Sequence, residues 1–550
     1  MWTRALALYV VLAVLTVGWH AVSHMQSVCS CGGGSDPAQY MAAMKWWPFA
    51  IEHAINPFVS HYLWAPTGVN LAQAAMIPTA SILLTPVTAL FGSIFAYNVA
   101  SIASPALAAF TAYLLCRRLV RRELPALAGG YLFGFGSYEF SQLVGHMNLT
   151  LIFLVPVMIH LALRRADREC SRPVYVVAMA LVMVAQLGLS TEILADSVGL
   201  GGVLLVAAWF LAPRSRRRRI AGLAAETLGA GLLAIIVASP FLYYAVVSSG
   251  VPANPSPTIA DGYGLDLLNL VFPTVMTWFG HHDFASLSAT FEGGNAVEAD
   301  GYLSVALVFA FTYWWVREGR SRLLGRLLAI GLVLSLVLAL GAHLHVAGQA
   351  AMSLPIEWVR HVAVFDNILP SRFALFVTLA VAIGVAAWLA SPVHARAGRW
   401  LVVLIGIFLT FPNLTVASYG VPMHNPPFFA TSMYRTYLKR GETVLVLPYA
   451  AQDLSTLWQA ETGFYFYMPE GYVSDAIPAA FVVQPTVQSL WANYTVTPPT
   501  LLAFIHEYAV SDVLVDPTNA GLWSDILVGL GMREHVVGGM ILFHVPGAPA

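Results

Sequence analysis

Asp36 is the residue whose surroundings best suit it to chemistry. It follows the run Gly32-Gly33-Gly34-Ser35, precedes Pro37, and lies just beyond the first long apolar segment. A carboxylate at the water boundary of a very apolar protein is placed to accept a proton beside a lipid-borne substrate. Further polar residues recur at the ends of apolar segments: His146, Thr191 with Glu192, Asp261 and Asp266, Glu298 and Asp300, and Arg372 within Pro370-Ser371-Arg372-Phe373. Charges at membrane depth are expensive and usually mark a site or a buried pair. Any one of them has a plain structural explanation, a salt bridge or a solvated loop end; several on one face, together with Asp36, favour function. Arg372 suits a phosphate, because its planar fork donates two hydrogen bonds at once.

The elements that hold these residues are read from composition. Of 550 residues, 58% are hydrophobic and 10% charged, and mean hydropathy is +0.71, values of a multi-span α-helical membrane protein. A net charge of -1 argues against nucleic acid as a partner, which needs a face rich in Lys and Arg. The Arg residues fall in five short clusters, at 117–122, 164–172, 214–219, 317–326 and 396–399, which the positive-inside bias assigns to the cytoplasm. Working outward from them gives about 11 spans of roughly 20 apolar residues each: 5–23, 95–116, 125–141, 148–164, 173–190, 194–212, 220–247, 301–316, 327–345, 371–391 and 400–416. The amino terminus is then inside and the carboxyl terminus outside. The first segment also fits a cleaved signal peptide; Asp36 is outside either way. Residues 77–92, with Pro78 and Pro86, are short for a crossing and read as a segment at the outer interface.

Four long regions face outward: 24–94, 248–300, 346–370 and 417–550. The first carries Tyr40, Trp46, Trp47, His53, His61, Tyr62 and Trp64; its Trp residues suit a helix in the interface plane or a plain aromatic belt. Cys29 and Cys31, one residue apart, read as free thiols. His281-His282-Asp283 reads as a solvated turn, since zinc needs a closed ligand set. The last region turns polar. Val444–Leu447 and Val510–Val515 are expected as strands, 518–531 as a helix, and 536–545 as a hairpin around Gly538-Gly539. The expected organisation is a transmembrane domain over 1–416, with the first outer loop at 24–94, and an extracytoplasmic α/β domain over 417–550.

Several motifs carry a resemblance. Ser35-Asp36-Pro37, Trp46-Trp47-Pro48, Asn56-Pro57-Phe58, Pro66-Thr67-Gly68-Val69-Asn70, Ala96-Tyr97-Asn98, Phe135-Gly136-Ser137-Tyr138 through Gly145-His146, Asp266-Leu267-Leu268-Asn269, Glu298 with Gly301-Tyr302, and Leu369 to Phe373 look like bacterial GT-C-type membrane glycosyltransferases, particularly the YfhO-like branch. The resemblance implies transfer of a sugar from a polyprenyl-phosphate donor to a lipid, polysaccharide or protein acceptor, at the outer face of the bacterial inner membrane. Asp36 matches the family's base. The candidate site is then Asp36, with Arg372 and His146 at the donor phosphate, and Trp46, Trp47, Tyr62, Glu192, Asp266 and Glu298 at the substrate. Dependence on a divalent cation is open, with Glu192, Asp266 or Glu298 as the candidate ligands beside Asp36. Two other classes compete. A transporter wants ionisable residues near the bilayer midplane, whereas here the span middles are apolar. A non-catalytic scaffold or lipid-binding protein of the envelope has no need of Asp36.

Overall fold

In a computed structural model of the chain, residues 2–247, 263–291, 297–298, 301–358, 369–392, 396–414, 419–474, 476–494 and 496–547 are described; Asp261 and Asp300 lie outside them. Each of the eleven apolar segments contains helix, but 125–141 is divided between Glu123–Gly134 and Ser137–Gln142, and 327–345 ends in a strand, His343–Val346. Five helices are long and apolar enough to cross a membrane by length and composition: Ser93–Val120, Met147–Ala166, Thr191–Leu211, Arg214–Val237 and Pro370–Ala390. Others are shorter apolar helices, among them Trp2–Thr16, Arg172–Leu187, Val305–Arg317 and Leu323–Ala339. The chain divides into two compact units.

The first unit comprises Met1–Val22, Ala100–Val237 and Ser256–Tyr419. Pro370–Ala390 is its central helix, 89% buried, whereas Thr191–Leu211 and Arg214–Val237 are 22% and 17% buried. That contrast follows from sequence: a helix apolar all round is tolerated either in a core or against lipid. Leu228 and Ile236 accordingly stand exposed. Close helix contact is set by small residues. A Cβ on Gly134 would lie 2.4 Å from Ala109 N and Pro105 O, so the Glu123–Gly134 helix can approach only because that atom is missing. Two of the Arg clusters carry close ion pairs: Arg118 with Asp167 and Glu169, at 2.6 and 2.7 Å, and Arg165 with Glu226 at 2.6 Å.

The second unit comprises Ser23–Val99, Ala238–Pro255 and Gly420–Ala550, so residues 420–550 share their unit with the whole of 24–94. Strand β1 (Val28–Cys29) pairs antiparallel with β2 (Val421–Pro422). Helix α1 (Ser35–Glu52) follows, then two short helices, α2 (Pro78–Leu83) and α3 (Thr85–Phe91). The 77–92 segment is thus two pieces broken near Thr85, with Leu83 and Leu90 exposed. Helix α1 is enclosed by protein, with Ala38, Ala42 and Ala43 among its buried residues, and it packs on α4 (Ser455–Glu461) and α2. The small side chains along α1 permit that approach, and Lys45 pairs with Glu461 at 2.9 Å. Cys29 and Cys31 differ from expectation: they are joined by a disulfide, their Cα atoms 5.2 Å apart, a separation that a disulfide spans readily.

A four-stranded mixed sheet closes the unit. Its strands β3 (Thr443–Leu447), β4 (Val510–Val515), β5 (Glu534–Val537) and β6 (Met540–His544) lie in the order β3-β4-β6-β5. β3 and β4 run parallel, with Leu445 beside Val513 and Leu447 beside Val515. The β5–β6 hairpin turns through Gly538 and Gly539, at φ 56° and 81°, the left-handed pair that a two-residue hairpin requires.

Candidate functional site

Two groups of polar side chains stand out, one in each unit. In the second unit, Gly34 at φ 84° precedes the first turn of α1, which carries Asp36. A left-handed backbone there turns the chain from β1 into the helix, and glycine adopts it without strain. Asp36 is half-buried. Its Oδ1 accepts a hydrogen bond from the Tyr472 hydroxyl at 2.6 Å and one from Gln39 Nε2 at 3.3 Å. Ser474 Oγ donates to Gln39 Oε1 at 3.1 Å, so the amide that faces the carboxylate is itself oriented. Tyr472 is fixed in turn: its backbone N–H donates to Thr456 Oγ1 at 2.9 Å, and its ring stacks on Trp491 with centroids 6.0 Å apart. Carboxylate, phenol and amide thus form an ordered relay at the start of a helix. A negative charge is favoured there.

Trp46, Trp47 and Tyr62 lie in the same unit. Trp46 is 2% exposed and donates to Pro57 O at 2.8 Å; Trp47 is 6% exposed and donates to Met76 O at 3.1 Å. Their indole N–H groups are therefore occupied by backbone. Tyr62 is half-buried and stacks on Tyr467, 5.1 Å between centroids, and burial pushes its phenol pKa up. Trp46, Phe49, Tyr62 and Phe464 form one aromatic cluster.

In the first unit, Arg372 begins the central helix in a short 3-10 turn, Pro370–Phe373, in which all four residues are buried. Both of its Nη atoms donate to the Glu298 carboxylate, Nη2 to Oε1 at 3.1 Å and Nη1 to Oε2. Glu192 Oε2 is 3.9 Å from Arg372 Nε. His146 Nδ1 lies 3.7 Å from Glu298 and 2.8 Å from Gln142 Oε1. Burial alone would raise the Glu298 carboxyl, yet the Arg372 charge and its hydrogen bonds, with His146 beside, hold it below the usual carboxylate range. Arg372, Glu298, Glu192 and His146 are thus brought together, with the acids oriented around the guanidinium.

Asp266 belongs to neither arrangement. It is fully buried; its Oδ1 accepts from Leu268 N at 2.9 Å and its Oδ2 from Gly348 N at 2.7 Å. Two backbone amides occupy the carboxylate, as expected of a loop staple. A divalent cation finds little here: among the described residues no group of three or more His, Cys, Asp and Glu converges, and Arg372 already supplies the positive charge between Glu192 and Glu298. Sequence reasoning passed over Tyr472 and Gln39. Nothing local distinguishes Tyr472, which meets Asp36 from 436 positions away. It also passed over Glu139, fully buried on the Ser137–Gln142 helix and hydrogen-bonded by Ser104.

The fold is GT-C-like. The chain is similar to arabinofuranosyltransferase AftD from Mycobacteria, at 14% identity and TM-score 0.63, over 98% of this chain and 40% of that one. It is similar to the oligosaccharyltransferase of Archaeoglobus fulgidus in the apo form, at 12% identity and TM-score 0.55, over 96% of this chain and 71% of that one. A third likeness is to AglB from Archaeoglobus fulgidus in complex with an inhibitory peptide and a dolichol-phosphate, at 12% identity and TM-score 0.51, covering 100% of this chain and 75% of that one. The chain thus spans less than half the length of AftD, and at these identities the likeness is one of fold. A search of curated proteins finds no match. The chain belongs to the family described as a domain of unknown function (DUF6311), whose model matches residues 6–410.

Proposed function

We propose that the protein is a glycosyltransferase that moves a sugar from a polyprenyl-phosphate donor to an acceptor hydroxyl, with Asp36 as general base. The observation that carries the reading is the seating of Asp36: a carboxylate in the first turn of a helix, oriented by Tyr472 and Gln39. The acceptor oxygen attacks the anomeric carbon, the bond from that carbon to the phosphate oxygen breaks, and the lipid phosphate leaves. The acceptor proton passes to Asp36. A lipid phosphate is its own leaving group, so what the protein must add is a proton acceptor and donors for the developing phosphate charge. Arg372 is proposed for the second task, its fork held in place by Glu298, with His146 alongside. Trp46, Trp47 and Tyr62 are proposed as the apolar backing of the acceptor region and Glu192 as a hydrogen-bond acceptor for the sugar; Asp266 serves to fix its loop.

Three further supports are the GT-C-like fold, the dolichol-phosphate found with AglB, and the motif likeness to the YfhO-like branch. The proposed setting is the bacterial cytoplasmic membrane, with the amino terminus inside and the α/β region outside. The test is complementation of a deletion strain by Asp36→Asn at normal expression. Asn keeps the shape and can still cap the helix, but it cannot take a proton. Failure to complement is expected; full complementation would leave a scaffold or lipid-binding role in place of catalysis.

A further inference from the structure

A cavity of about 230 Å³ in the second unit is lined by Gly33, Gly34 and Ser35, by Val421 to His424, by Ala451 to Leu454, and by Trp458 and Asp516. Asp516 directly follows β4, and Ala451 to Leu454 follow β3 by a few residues. The cavity therefore opens at the carboxyl ends of two parallel strands, where α/β domains characteristically hold ligands. It is smaller than the roughly 300 Å³ at which pockets for drug-sized ligands begin, so it admits one ring rather than a chain of them.

The lining selects the chemistry. Trp458, 1% exposed, spends its indole N–H on His424 O at 2.8 Å and stacks on Phe429, so it closes the back of the cavity, and the apolar part of the wall is left to Val421 and Pro422. Around it stand hydrogen-bonding side chains. Asp516 Oδ1 accepts from Thr518 N at 2.9 Å and lies 3.6 Å from His424 Nε2. Asp453, 8% exposed, accepts from Ser455 N at 2.7 Å through Oδ1, while its Oδ2 has no hydrogen-bond partner among the described residues. A buried carboxyl oxygen without a partner is costly unless something supplies one. Glu470 is used up, accepting from Val446 N at 2.9 Å and Ala450 N at 2.6 Å. Burial, with Asp516 adding to it, pushes the Asp453 carboxyl up to about 8, so near neutrality it is largely an uncharged donor and acceptor. Asp516, the other acid of the lining, disfavours an anion. No metal-ligating set of three is present among the described residues.

We propose that this cavity binds a single uncharged sugar ring, whose hydroxyls meet Asp516, Asp453 and Gln452 and whose apolar face meets Val421 and Pro422. The further statement that the ring belongs to the acceptor rests on the transferase reading above, because Ser35 of the cavity wall adjoins Asp36. The binding itself does not depend on that reading.

The test is saturation-transfer NMR on the full chain in lipid nanodiscs, with the methyl glycosides of glucose, mannose, galactose and arabinose, and with glucuronic acid and glucosamine as charged comparators. At least one neutral glycoside is expected to show transfer, and the charged sugars none. Ala451→Trp, which fills the cavity from its wall, and Asp516→Ala, which removes a charged hydrogen-bond acceptor, should each weaken that binding about tenfold or more. Asp36→Asn should bind as wild type does. Silence from all neutral glycosides, equal binding of a charged comparator, or binding unaltered in Ala451→Trp would each overturn the proposal. These results separate from those on catalysis: glycoside binding by the wild type with an active Asp36→Asn protein removes the transferase reading alone, and a wild type that binds no glycoside with an inactive Asp36→Asn protein removes the cavity alone.

Discussion

At the scale of single residues, two side chains decide how far the proposed chemistry holds. Tyr472 donates its hydroxyl to Asp36 while its ring is held by Trp491, so Tyr472→Phe deletes the hydrogen bond and keeps the packing. A hydrogen bond to a charged group is worth about 1.5–3 kcal/mol, so sugar transfer should fall roughly tenfold or more. Thermal stability, read on the same preparation, should change little. A variant that transfers at the wild-type rate would show that Tyr472 merely fills space. Arg372 has a different dependence. Its two Nη atoms engage Glu298, a geometry that Lys cannot copy because its ammonium is a point charge. Arg372→Lys should therefore bind a polyprenyl-phosphate sugar about tenfold more weakly, the cost of one charged hydrogen bond. Unchanged donor affinity would take Arg372 out of the phosphate site and leave it as the partner of Glu298.

At the scale of elements, the sheet and α1 show what sequence can and cannot report. The apolar run Val444 to Leu447 ending at Pro448, and the Gly538-Gly539 pair, are local signals, and they mark β3 and the β5–β6 hairpin where those occur. The surroundings of α1 are set by residues far along the chain. Trp46 and Trp47 have the composition of an interfacial belt, yet Phe464 and Phe58 cover them, because α4 and the segment after it fold onto the helix. The Cys29–Cys31 bond was equally unreadable: whether thiols one residue apart join depends on backbone angles that spacing alone does not set. At the carboxyl edge of β3, Asp453 is expected to be a pH sensor for stability. Burial raises its carboxyl from 3.8 to about 8, so the folded state binds the proton more tightly than the unfolded chain. Its stabilising share is complete below about pH 4 and is lost as pH rises through about 8. Melting temperature measured from pH 5 to pH 9 should fall in wild type and fall less in Asp453→Asn, which keeps the bond to Ser455 N. Parallel curves for the two proteins would contradict that assignment.

At the scale of the whole molecule, the helical character of the apolar segments was legible because a span needs a long apolar run, and five helices are long and apolar enough to cross a membrane. All eleven segments carry helix. The polar constellations were legible only in part. Arg372, Glu298, Glu192 and His146 each announce themselves as ionisable groups at a segment end, and they do meet in the first unit; Asp266 announces itself equally and proves to be a loop staple. The membrane orientation is open to a direct check. With Cys116 and Cys170 replaced, the remaining cysteines are disulfide-bonded. In that background, Val483→Cys, on a residue 70% exposed, should be labelled in intact cells by a membrane-impermeant thiol reagent. Arg172→Cys, on a side chain 72% exposed, should be labelled only after permeabilisation; labelling of both from outside would break the inside assignment of the Arg clusters. The central claim, that this chain consumes a polyprenyl-phosphate sugar by way of Asp36, is tested most directly by mass spectrometry of lipid extracts from a deletion strain carrying wild type or Asp36→Asn at equal expression. The account expects one polyprenyl-phosphate sugar to accumulate in the Asp36→Asn strain as it does in the deletion, with turnover lower by about two orders of magnitude or more, as for loss of a general base. A donor pool as low in the Asp36→Asn strain as in wild type, against an accumulated pool in the deletion, would contradict it.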